Sequence, residues 1–223
     1  MMKIDVLSLF PNMFTGFLNE SIIKRAIESN HVEINVIDFR EYSLDTHHKV
    51  DDTPYGGGGG MVLTCQPIFD CIDAIRTEES KIILLTPDGT TFHQDLAYNL
   101  AKEETHLIFI CGHYEGFDER IRTLADMEIS IGDYVLTGGE LPSMVIIDSI
   151  VRLLPGVITD TSLKDESFTN DLLDYPTYTK PQSFRGMDVP SVLISGNHEE
   201  INNFRKEEAI KRTKLRRPDL LEK

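Results

Sequence analysis

Apolar and polar positions follow two different periods along the chain. The runs KIDVLSLF (3–10) and VEINVIDF (32–39) alternate apolar and polar residues, which predicts β-strands. The runs KIILLTP (81–87) and HLIFIC (106–111) are almost wholly apolar, as in parallel strands that are buried on both faces. Apolar residues at helical spacing predict helices over residues 16–30, 66–76, 94–103 and 141–154. This alternation of strands and helices predicts an α/β fold with helices on both faces of a sheet.

The chain changes character after residue 156. Residues 157–169 are polar and irregular, which is typical of a linker, and the pattern leaves open whether this linker also has a function. A short apolar run (189–195) and a charged helix from about residue 199 follow. We therefore expect a small second domain or arm at the end of the chain.

Two glycine-bearing loops, CGHYEGFDER and IGDYVLTGGELP, lie within the segment 111–142, and each follows an apolar, strand-like run. A third turn, TPDG (86–89), ends the run 81–87. Ligands of open α/β sheets bind beyond the carboxyl ends of the strands, and glycine lets the backbone approach a ligand closely. We expect the three turns to share one edge of the sheet and to form a small-molecule pocket. The alternative is three ordinary turns.

The overall charge of the chain is strongly negative, at −15, which argues against a nucleic-acid partner. The distribution is uneven, however. Residues 197–223 carry eight Lys or Arg against six Asp or Glu, a net charge of +2, so residues 1–196 carry −17. If the protein binds RNA, the segment 205–217 is expected to contact phosphates. A solvated helix face with mixed charges explains the segment equally well.

Several common kinds of site are excluded by the motifs that are missing. The glycine run 56–60 is not followed by Gly-Lys-Ser/Thr, so it is not a P-loop, and no GxGxxG opens a helix after the first strand. The chain contains no GxSxG motif, so no hydrolase nucleophile of that type is predicted. His47, His48 and His113 lack the partner spacing of metal ligands, so no metal site is predicted. We expect the glycine run to close over a flat or extended ligand.

The cysteines and the apolar runs indicate the cellular setting. Cys65, Cys71 and Cys111 form no CxxC pair, which is typical of reduced, buried thiols in a cytosolic protein. No apolar run has the roughly 18 residues that span a bilayer. The first apolar run is interrupted by Asp5 and Pro11, which fits a strand better than a signal peptide.

A series of longer motifs runs in order along nearly the whole chain. These motifs are LFPNMF (9–14), VDDTPYGGG (50–58), CGHYEGFDER (111–120), IGDYVLTGGELP (131–142), Asp148, Arg152, PGV (155–157), SGNH (195–198) and RRP (216–218). In this combination and order they resemble the bacterial tRNA (guanine-N1)-methyltransferases of the SPOUT class, the TrmD family.

The resemblance implies a particular architecture. A knotted α/β domain (1–159) would carry a parallel sheet of the SPOUT type with a deep trefoil knot. Knots are rare in proteins, and no pattern in the sequence would suggest one. An interdomain linker (160–171) would lead to a small, mainly helical C-terminal domain (172–223) that binds tRNA. The protein would be a cytoplasmic homodimer, with no membrane contact and with its active site shared between the subunits.

The resemblance also implies the reaction and its ligands. S-adenosylmethionine would donate a methyl group to N1 of the guanosine on the 3′ side of the tRNA anticodon (position 37). Magnesium is left open as a further cofactor, without an identified ligand set. Matching positions imply tRNA contacts at Asp51, Gly60, Met61, Arg216 and Arg217. They imply cofactor contacts at Leu84, Leu85, Thr86, Pro87, Gly112, Tyr114, Gly116, Ile131, Gly132, Tyr134, Leu136, Gly138, Gly139 and Pro142.

The chemistry of this reaction requires a base and a cation. Guanine N1 carries a proton at neutral pH, and a nearby carboxylate can remove it as a general base. Negative charge then develops on O6, where an arginine is the natural stabilising group. The resemblance assigns that role to Arg152. It places Glu115 near the methionine end of the cofactor, where its carboxylate favours the cationic sulfonium.

The chain departs from the family pattern at two positions. The general base of the family is an aspartate directly before Ser-Phe, whereas here Glu166 precedes Ser167 and Asp165 lies one residue further back. Either carboxylate could serve, and we favour Glu166. In the glycine loop, Gly59 replaces a proline, which removes a restraint on φ and predicts a more flexible loop.

Three functions are compatible with these features. The leading one is the tRNA methyltransferase. An S-adenosylmethionine-binding protein with reduced or lost catalysis is the alternative that the glutamate permits, and an acidic α/β protein that binds another nucleotide is the third. In the leading interpretation the segment 111–142 holds the cofactor. The loop 51–61 and the linker 160–170 supply the acceptor half of the site, from the partner subunit.

Overall fold

The computed structural model of the chain describes residues 1–159, 163 and 166–222. The chain divides into two compact units, Met1–Ile158 and Thr159–Lys223. The finer division into a linker (160–171) and a C-terminal domain (172–223) stays a prediction. Within the described residues, no helix combines the length and the apolar character that crossing a membrane requires.

A parallel sheet of five strands forms the centre of the first unit. The strands of this unit are β1 (Met2–Ser8), β2 (Val32–Asp38), β3 (Asp51–Asp52), β4 (Val62–Leu63), β5 (Ser80–Thr91), β6 (His106–Cys111) and β7 (Met127–Ser130). The order in the large sheet is β2-β1-β6-β5-β7, and each neighbouring pair is parallel. The carboxyl ends of β5, β6 and β7 therefore lie side by side at one edge. The small strands β3 and β4 form a separate antiparallel pair.

The helices of the first unit are α1 (Thr15–Leu18), α2 (Ser21–Glu28), α3 (Cys65–Ile75), α4 (Gln94–Glu103) and α5 (Glu140–Val151). The prediction of one helix over 16–30 was wrong, because the chain turns between α1 and α2. Asn19 caps the end of α1, and Ser21 has a φ of 54°, which lies outside the right-handed helical region. The other three predicted helices begin and end within three residues of the expected positions.

Two hydrophobic clusters cover the two faces of the sheet. Strand β6 shows the alternation directly: Leu107 and Phe109 belong to one cluster, whereas Ile108 and Ile110 belong to the other. Residues of α2, α4 and α5 complete the first cluster, and residues of α3 complete the second. All six residues of β6 are buried, which explains why its sequence is almost wholly apolar. The predicted α/β class, with helices on both faces of a parallel sheet, is thereby confirmed.

The second unit is built around one long helix. Its regular elements include the hairpin β8 (Ser183–Phe184) and β9 (Met187–Asp188) and the helix α6 (His198–Arg216). The side chain of Asn197 caps α6 by accepting hydrogen bonds from the N–H groups of Glu199 and Glu200. Acidic residues in the first turn and basic residues in the last turn complement the helix dipole. The predicted charged helix is therefore present.

A row of polar side chains crosses the amino-terminal edge of the large sheet. Asp5 is buried, and its Oδ2 atom lies 2.8 Å from Nε2 of His106 and 2.9 Å from Nζ of Lys3. Asn35 donates a hydrogen bond to the other carboxylate oxygen at 3.0 Å, and Ser80 Oγ lies 2.7 Å from Nδ1 of His106. Burial opposes the ionisation of Asp5, but the contacts from Asn35, Lys3 and His106 outweigh burial and lower its pKa.

This lowered pKa predicts the direction in which stability depends on pH. Because Asp5 binds a proton less readily in the folded chain, its contribution is complete above about pH 5 and is lost as the pH falls through the folded pKa. We expect Asp5→Asn to lower the free energy of unfolding at pH 7 by about 2–4 kcal/mol. Urea unfolding at pH 7 and pH 3 measures both effects, and the loss on acidification should be smaller in the variant.

Asp73→Asn is the matched control, because it removes an exposed ion pair with Arg76 and should change stability by less than about 1 kcal/mol. An equal dependence of stability on pH in wild type and Asp5→Asn would contradict the role of Asp5.

Candidate active site

A cavity of about 460 Å³ opens at the carboxyl edge of the sheet. It is bounded by the end of β5, by the loop that follows β6, by the loop that follows β7 and by the first turn of α5. Its size lies within the range of about 300–1,000 Å³ that is typical of small-molecule sites. The three turns that the sequence singled out therefore meet at one edge and form one pocket.

The first wall of the cavity is an irregular part of strand β5. We expected this strand to end at Pro87, but it continues to Thr91, with a shift of register between Leu85 and Thr90. Gly89 makes the shift possible: a Cβ atom at this position would lie 2.6 Å from backbone atoms of the neighbouring strand β7. Only glycine allows so close an approach. The bulge carries Thr86 and Pro87 out of the ladder and into the cavity wall.

The two glycine loops pack directly on each other. The N–H of Gly139 donates to the carbonyl of Gly112 at 2.9 Å, and His113 forms an isolated antiparallel bridge with Gly138. A Cβ atom on Gly139 would lie 2.6 Å from the Cα of Cys111 and 3.0 Å from its Cβ. Glycine is therefore required where the start of α5 passes the end of β6.

Cys111 lies at the base of these loops. Its side chain is buried, and burial, together with the nearby charge of Glu140, raises the pKa of the thiol well above its ordinary value. Glu140 is itself buried and accepts a hydrogen bond from the Oγ of Ser8 at 2.8 Å. Cys71 is likewise a buried, free thiol, whereas Cys65 is half-buried.

Tyrosine and other apolar side chains line the outer part of the cavity. Tyr114 adopts a φ of 59° in the first loop, and 46% of its surface is exposed. In the second loop the ring of Tyr134 lies over Gly132, where a Cβ atom would be 2.6 Å from the ring. Leu136 follows on the same loop and is 38% exposed. All three side chains line the cavity.

The predicted cofactor residues are brought together, with one exception. The side chain of Leu84 is fully buried in the second hydrophobic cluster and does not line the cavity. All the others do: Leu85, Thr86, Pro87, Gly112, Tyr114, Gly116, Ile131, Gly132, Tyr134, Leu136, Gly138, Gly139 and Pro142. Glu115 also lines it. Which of these residues contact a ligand stays a prediction.

An ion-pair cluster that the sequence does not predict lies beside the cavity. Arg122 lines the cavity, and its Nη2 atom lies 2.9 Å from Asp88 while its Nε atom lies 3.1 Å from Glu119. A third carboxylate, that of Glu128, pairs with Nη1 of the same arginine. The cluster joins the β5 bulge to the 3₁₀ helix 119–124. Arg122 belongs to no glycine motif, so no local pattern indicates its role.

The acidic residues of the first loop separate into two groups. Asp118 accepts hydrogen bonds from the backbone and the guanidinium of Arg120 at 2.7–3.0 Å, and this contact holds the pKa of the carboxyl well below its usual range. It also caps the 3₁₀ helix 119–124. Asp118 and Arg120 thus shape the loop, whereas Glu115 remains exposed to the cavity.

The glycine loop lies against the cofactor segment of its own chain. The carbonyl of Met61 accepts from the N–H of Glu115 at 3.1 Å, and Leu63 exchanges hydrogen bonds with Gly116 and Asp118 at 3.0 and 2.9 Å. The other end of the loop is fixed where Asp51 pairs with Leu63. Within one chain, the short strands thus attach the loop to the segment 111–142. A contribution of this loop to the site of a partner subunit stays a prediction.

The remaining predicted residues lie on other elements of the two units. Arg152 is half-buried directly after α5, and its N–H donates to the carbonyl of Asp148 at 3.3 Å. Glu166 is half-buried in the second unit, and Asp165 lies outside the described residues. Arg216 and Arg217 are exposed at the end of α6, where Arg217 forms an ion pair with Asp219 at 2.7 Å. Among the described residues, no group of three or more His, Cys, Asp or Glu side chains is placed to hold a metal ion.

The fold and the cavity define an α/β protein with a cavity of small-molecule size at the carboxyl edge of a parallel sheet, where ligands of this class of fold bind. Comparison with known proteins makes the class more specific. The family described as "tRNA (Guanine-1)-methyltransferase TrmD" matches residues 2–223. The chain therefore belongs to this family, as its motifs predicted, and is an enzyme of the methyltransferase class.

Three curated relatives are similar over almost the whole chain, and each is named tRNA (guanine-N(1)-)-methyltransferase. The protein of Malacoplasma penetrans is 61% identical over 219 residues, which are 98% of this chain and 96% of the relative. The proteins of Geobacillus kaustophilus and Bacillus cereus are 58% and 57% identical over 225 and 226 residues. These matches cover 99% of this chain and 92% of each relative.

Proposed function

We propose that the chain transfers the methyl group of S-adenosylmethionine to N1 of the guanosine on the 3′ side of the tRNA anticodon. The observation that carries the proposal is the cavity at the carboxyl edge, which gathers all the family-predicted cofactor positions except Leu84. Family membership supplies the class of reaction. The relatives named above carry the same enzyme name.

The lining of the cavity suits the proposed cofactor. Apolar side chains such as Leu85, Ile131 and Leu136 can enclose a flat heteroaromatic ring. The carboxylate of Glu115 can stabilise the positive charge of the sulfonium. When bound, S-adenosylmethionine supplies an electrophilic methyl group. The protein must then orient the guanine, remove its N1 proton and stabilise the charge on O6.

Two charged side chains can perform these steps. Glu166 is our choice for the general base that accepts the N1 proton, because its carboxylate precedes Ser167 as the family pattern requires. Arg152 is our choice for the cation that stabilises O6, because a guanidinium can donate a charge-assisted hydrogen bond to the oxygen on which negative charge develops. The acceptor guanine would lie beneath the glycine loop, near Gly60 and Met61.

The exposed basic end of α6 supports the choice of an RNA substrate. Lys211, Lys214, Arg216 and Arg217 follow one another within two turns and are exposed, in a chain whose overall charge is −15. Cations of this kind bind phosphates in a sequence-independent way and steer nucleic acids toward a site. We propose that Arg216 and Arg217 contact the tRNA backbone.

We also propose that two copies of the chain form a dimer through α5 and the residues before α1. Met13, Leu141 and Val145 are large, apolar and about half exposed, at 47%, 51% and 48%. The opposite side of α5 is buried in the first hydrophobic cluster, so the exposed apolar residues lie on a second side of the same helix. A second copy would cover the exposed side. A trefoil knot in the first unit is proposed on the family resemblance alone.

The proposed dimer can be tested by substituting two residues of α5. Leu141→Asp combined with Val145→Asp should convert the dimer into monomers, because two charges would be buried without partners at the interface. Sedimentation velocity measures the change. Glu103→Lys, on the exposed surface of α4, is the control and should leave the dimer intact. A wild-type chain that sediments as a monomer at micromolar concentration would contradict the dimer itself.

The proposed function is tested by methyl transfer from labelled S-adenosylmethionine to a tRNA transcript with guanosine at the target site. A transcript with adenosine at that site is the control and should accept no label. Binding of the cofactor without transfer to the guanosine transcript would support the alternative, a protein of this fold with lost catalysis. Failure to bind the cofactor would overturn the whole proposal.

A further inference from the structure

The carboxylate of Glu115 lies between two parts of the site. On one side it lines the cavity, and on the other it touches the glycine loop at Gly60. No ion pair or hydrogen bond within residues 1–159, 163 and 166–222 holds this carboxylate. Its backbone is fixed by the contact between its N–H and Met61, but the direction of its side chain depends on packing.

The side chain of Glu115 packs against the backbone of Gly60, and it can do so because Gly60 has no side chain. A Cβ atom built on Gly60 would lie 2.5 Å from Oε1 and 2.7 Å from Cδ of Glu115, well inside contact distance. The neighbouring glycines differ. Gly57 and Gly59 have no heavy atom within 4 Å of such a Cβ, and they lie in open space. Gly60 therefore differs from Gly57 and Gly59 because it contacts Glu115.

We infer that Gly60 is a positioning residue that acts through Glu115 on the cofactor end of the site. The inference rests on the proposed function, since it assigns the carboxylate to the sulfonium of S-adenosylmethionine. The absence of a side chain at Gly60 lets Glu115 occupy the space between loop and cavity. Any larger residue at position 60 turns the carboxylate away from the cavity, because a flexible side chain yields more readily than backbone.

The same contact links the acceptor loop to the cofactor. A glycine loop that moves away from the cavity removes the surface against which Glu115 rests. A loop that closes restores this surface and returns the carboxylate to the cavity. The loop proposed to cover the guanine thus also sets the charge that faces the methyl donor.

The test is a double-mutant cycle in the full-length protein, read by isothermal titration with S-adenosylmethionine and S-adenosylhomocysteine. Glu115→Ala and Gly60→Ala should each weaken binding of S-adenosylmethionine by about tenfold. The double variant should be no weaker than Glu115→Ala alone, because both changes remove the same interaction. S-adenosylhomocysteine lacks the sulfonium charge, so its affinity should change by less than about threefold.

Gly57→Ala separates this effect from backbone strain. Gly57 and Gly60 have nearly the same positive φ, 79° and 80°, so an alanine is strained equally at either position. Only the alanine at position 60 meets Glu115. Cofactor affinity in Gly57→Ala should stay within about twofold of wild type, and thermal unfolding should show similar losses of stability in both variants.

The outcomes distinguish the inference from the function on which it rests. Equal cofactor affinities for Gly60→Ala and Gly57→Ala, or additive losses in the double variant, would overturn the role of Gly60 while the methyltransferase proposal stands. If the wild-type chain binds neither S-adenosylmethionine nor S-adenosylhomocysteine, the proposed function itself fails.

Discussion

Replacing Glu166 by glutamine is expected to lower the turnover of methyl transfer by at least about 10²-fold, and by as much as about 10⁴-fold. Glutamine has nearly the same shape as glutamate but cannot accept the N1 proton. The affinity for S-adenosylmethionine should not change, because the cofactor cavity is built by residues of the first unit. Single-turnover assays with saturating tRNA, together with cofactor titration, measure the two quantities separately.

Asp165→Asn is the matched control for this prediction. It removes the neighbouring carboxylate and should retain most of the turnover if Glu166 is the base. The reverse pattern, an active Glu166→Gln and an inactive Asp165→Asn, would transfer the role to Asp165. Normal turnover in both variants would remove this segment from the proton-transfer step.

Gly139→Ala is expected to abolish measurable cofactor binding and to lower the free energy of unfolding by about 1–3 kcal/mol or more. The new methyl group would lie 2.6 Å from the Cα of Cys111, and backbone atoms at the end of a buried strand cannot move aside as a side chain can. The hydrogen bond between Gly139 and Gly112 would be lost as the loops separate. Urea unfolding and cofactor titration measure the two effects.

Gly16→Ala serves as the control, because a Cβ atom on Gly16 would meet nothing within 4 Å. Gly16 is in α1, where alanine should be neutral or slightly stabilising. A Gly139→Ala variant that binds the cofactor normally would show that the two glycine loops tolerate separation. The packing described for the cavity would then be wrong.

Much of the sheet could be predicted because strands that are buried on both faces have almost wholly apolar sequences. His106–Cys111 is buried throughout, and the apolar run marks its limits. The end of β5 is not marked by such a pattern. Pro87 suggested that the strand stops, whereas the strand resumes after a bulge that depends on the neighbouring strand β7. A contact between residues distant in sequence cannot be inferred from a local pattern.

In the candidate site, too, some features follow from local sequence patterns and others depend on contacts between distant residues. The glycine loops were recognisable by their motifs, and their positions at the carboxyl edge followed from the α/β pattern. Arg122 was not recognisable, because its importance comes from three carboxylates on separate segments. The contact of Gly60 with Glu115 was equally hidden. Residue type and spacing predict which loops meet, whereas the pairing of individual side chains depends on the folded backbone.

The buried thiol of Cys111 has a consequence for an enzyme that handles an alkylating agent. A cysteine reacts with electrophiles as the thiolate, and a thiol with a raised pKa is almost entirely protonated at neutral pH. The residue directly before the first glycine loop is thereby kept inert. A methyl donor in the proposed cofactor cavity would therefore meet no reactive thiolate at Cys111.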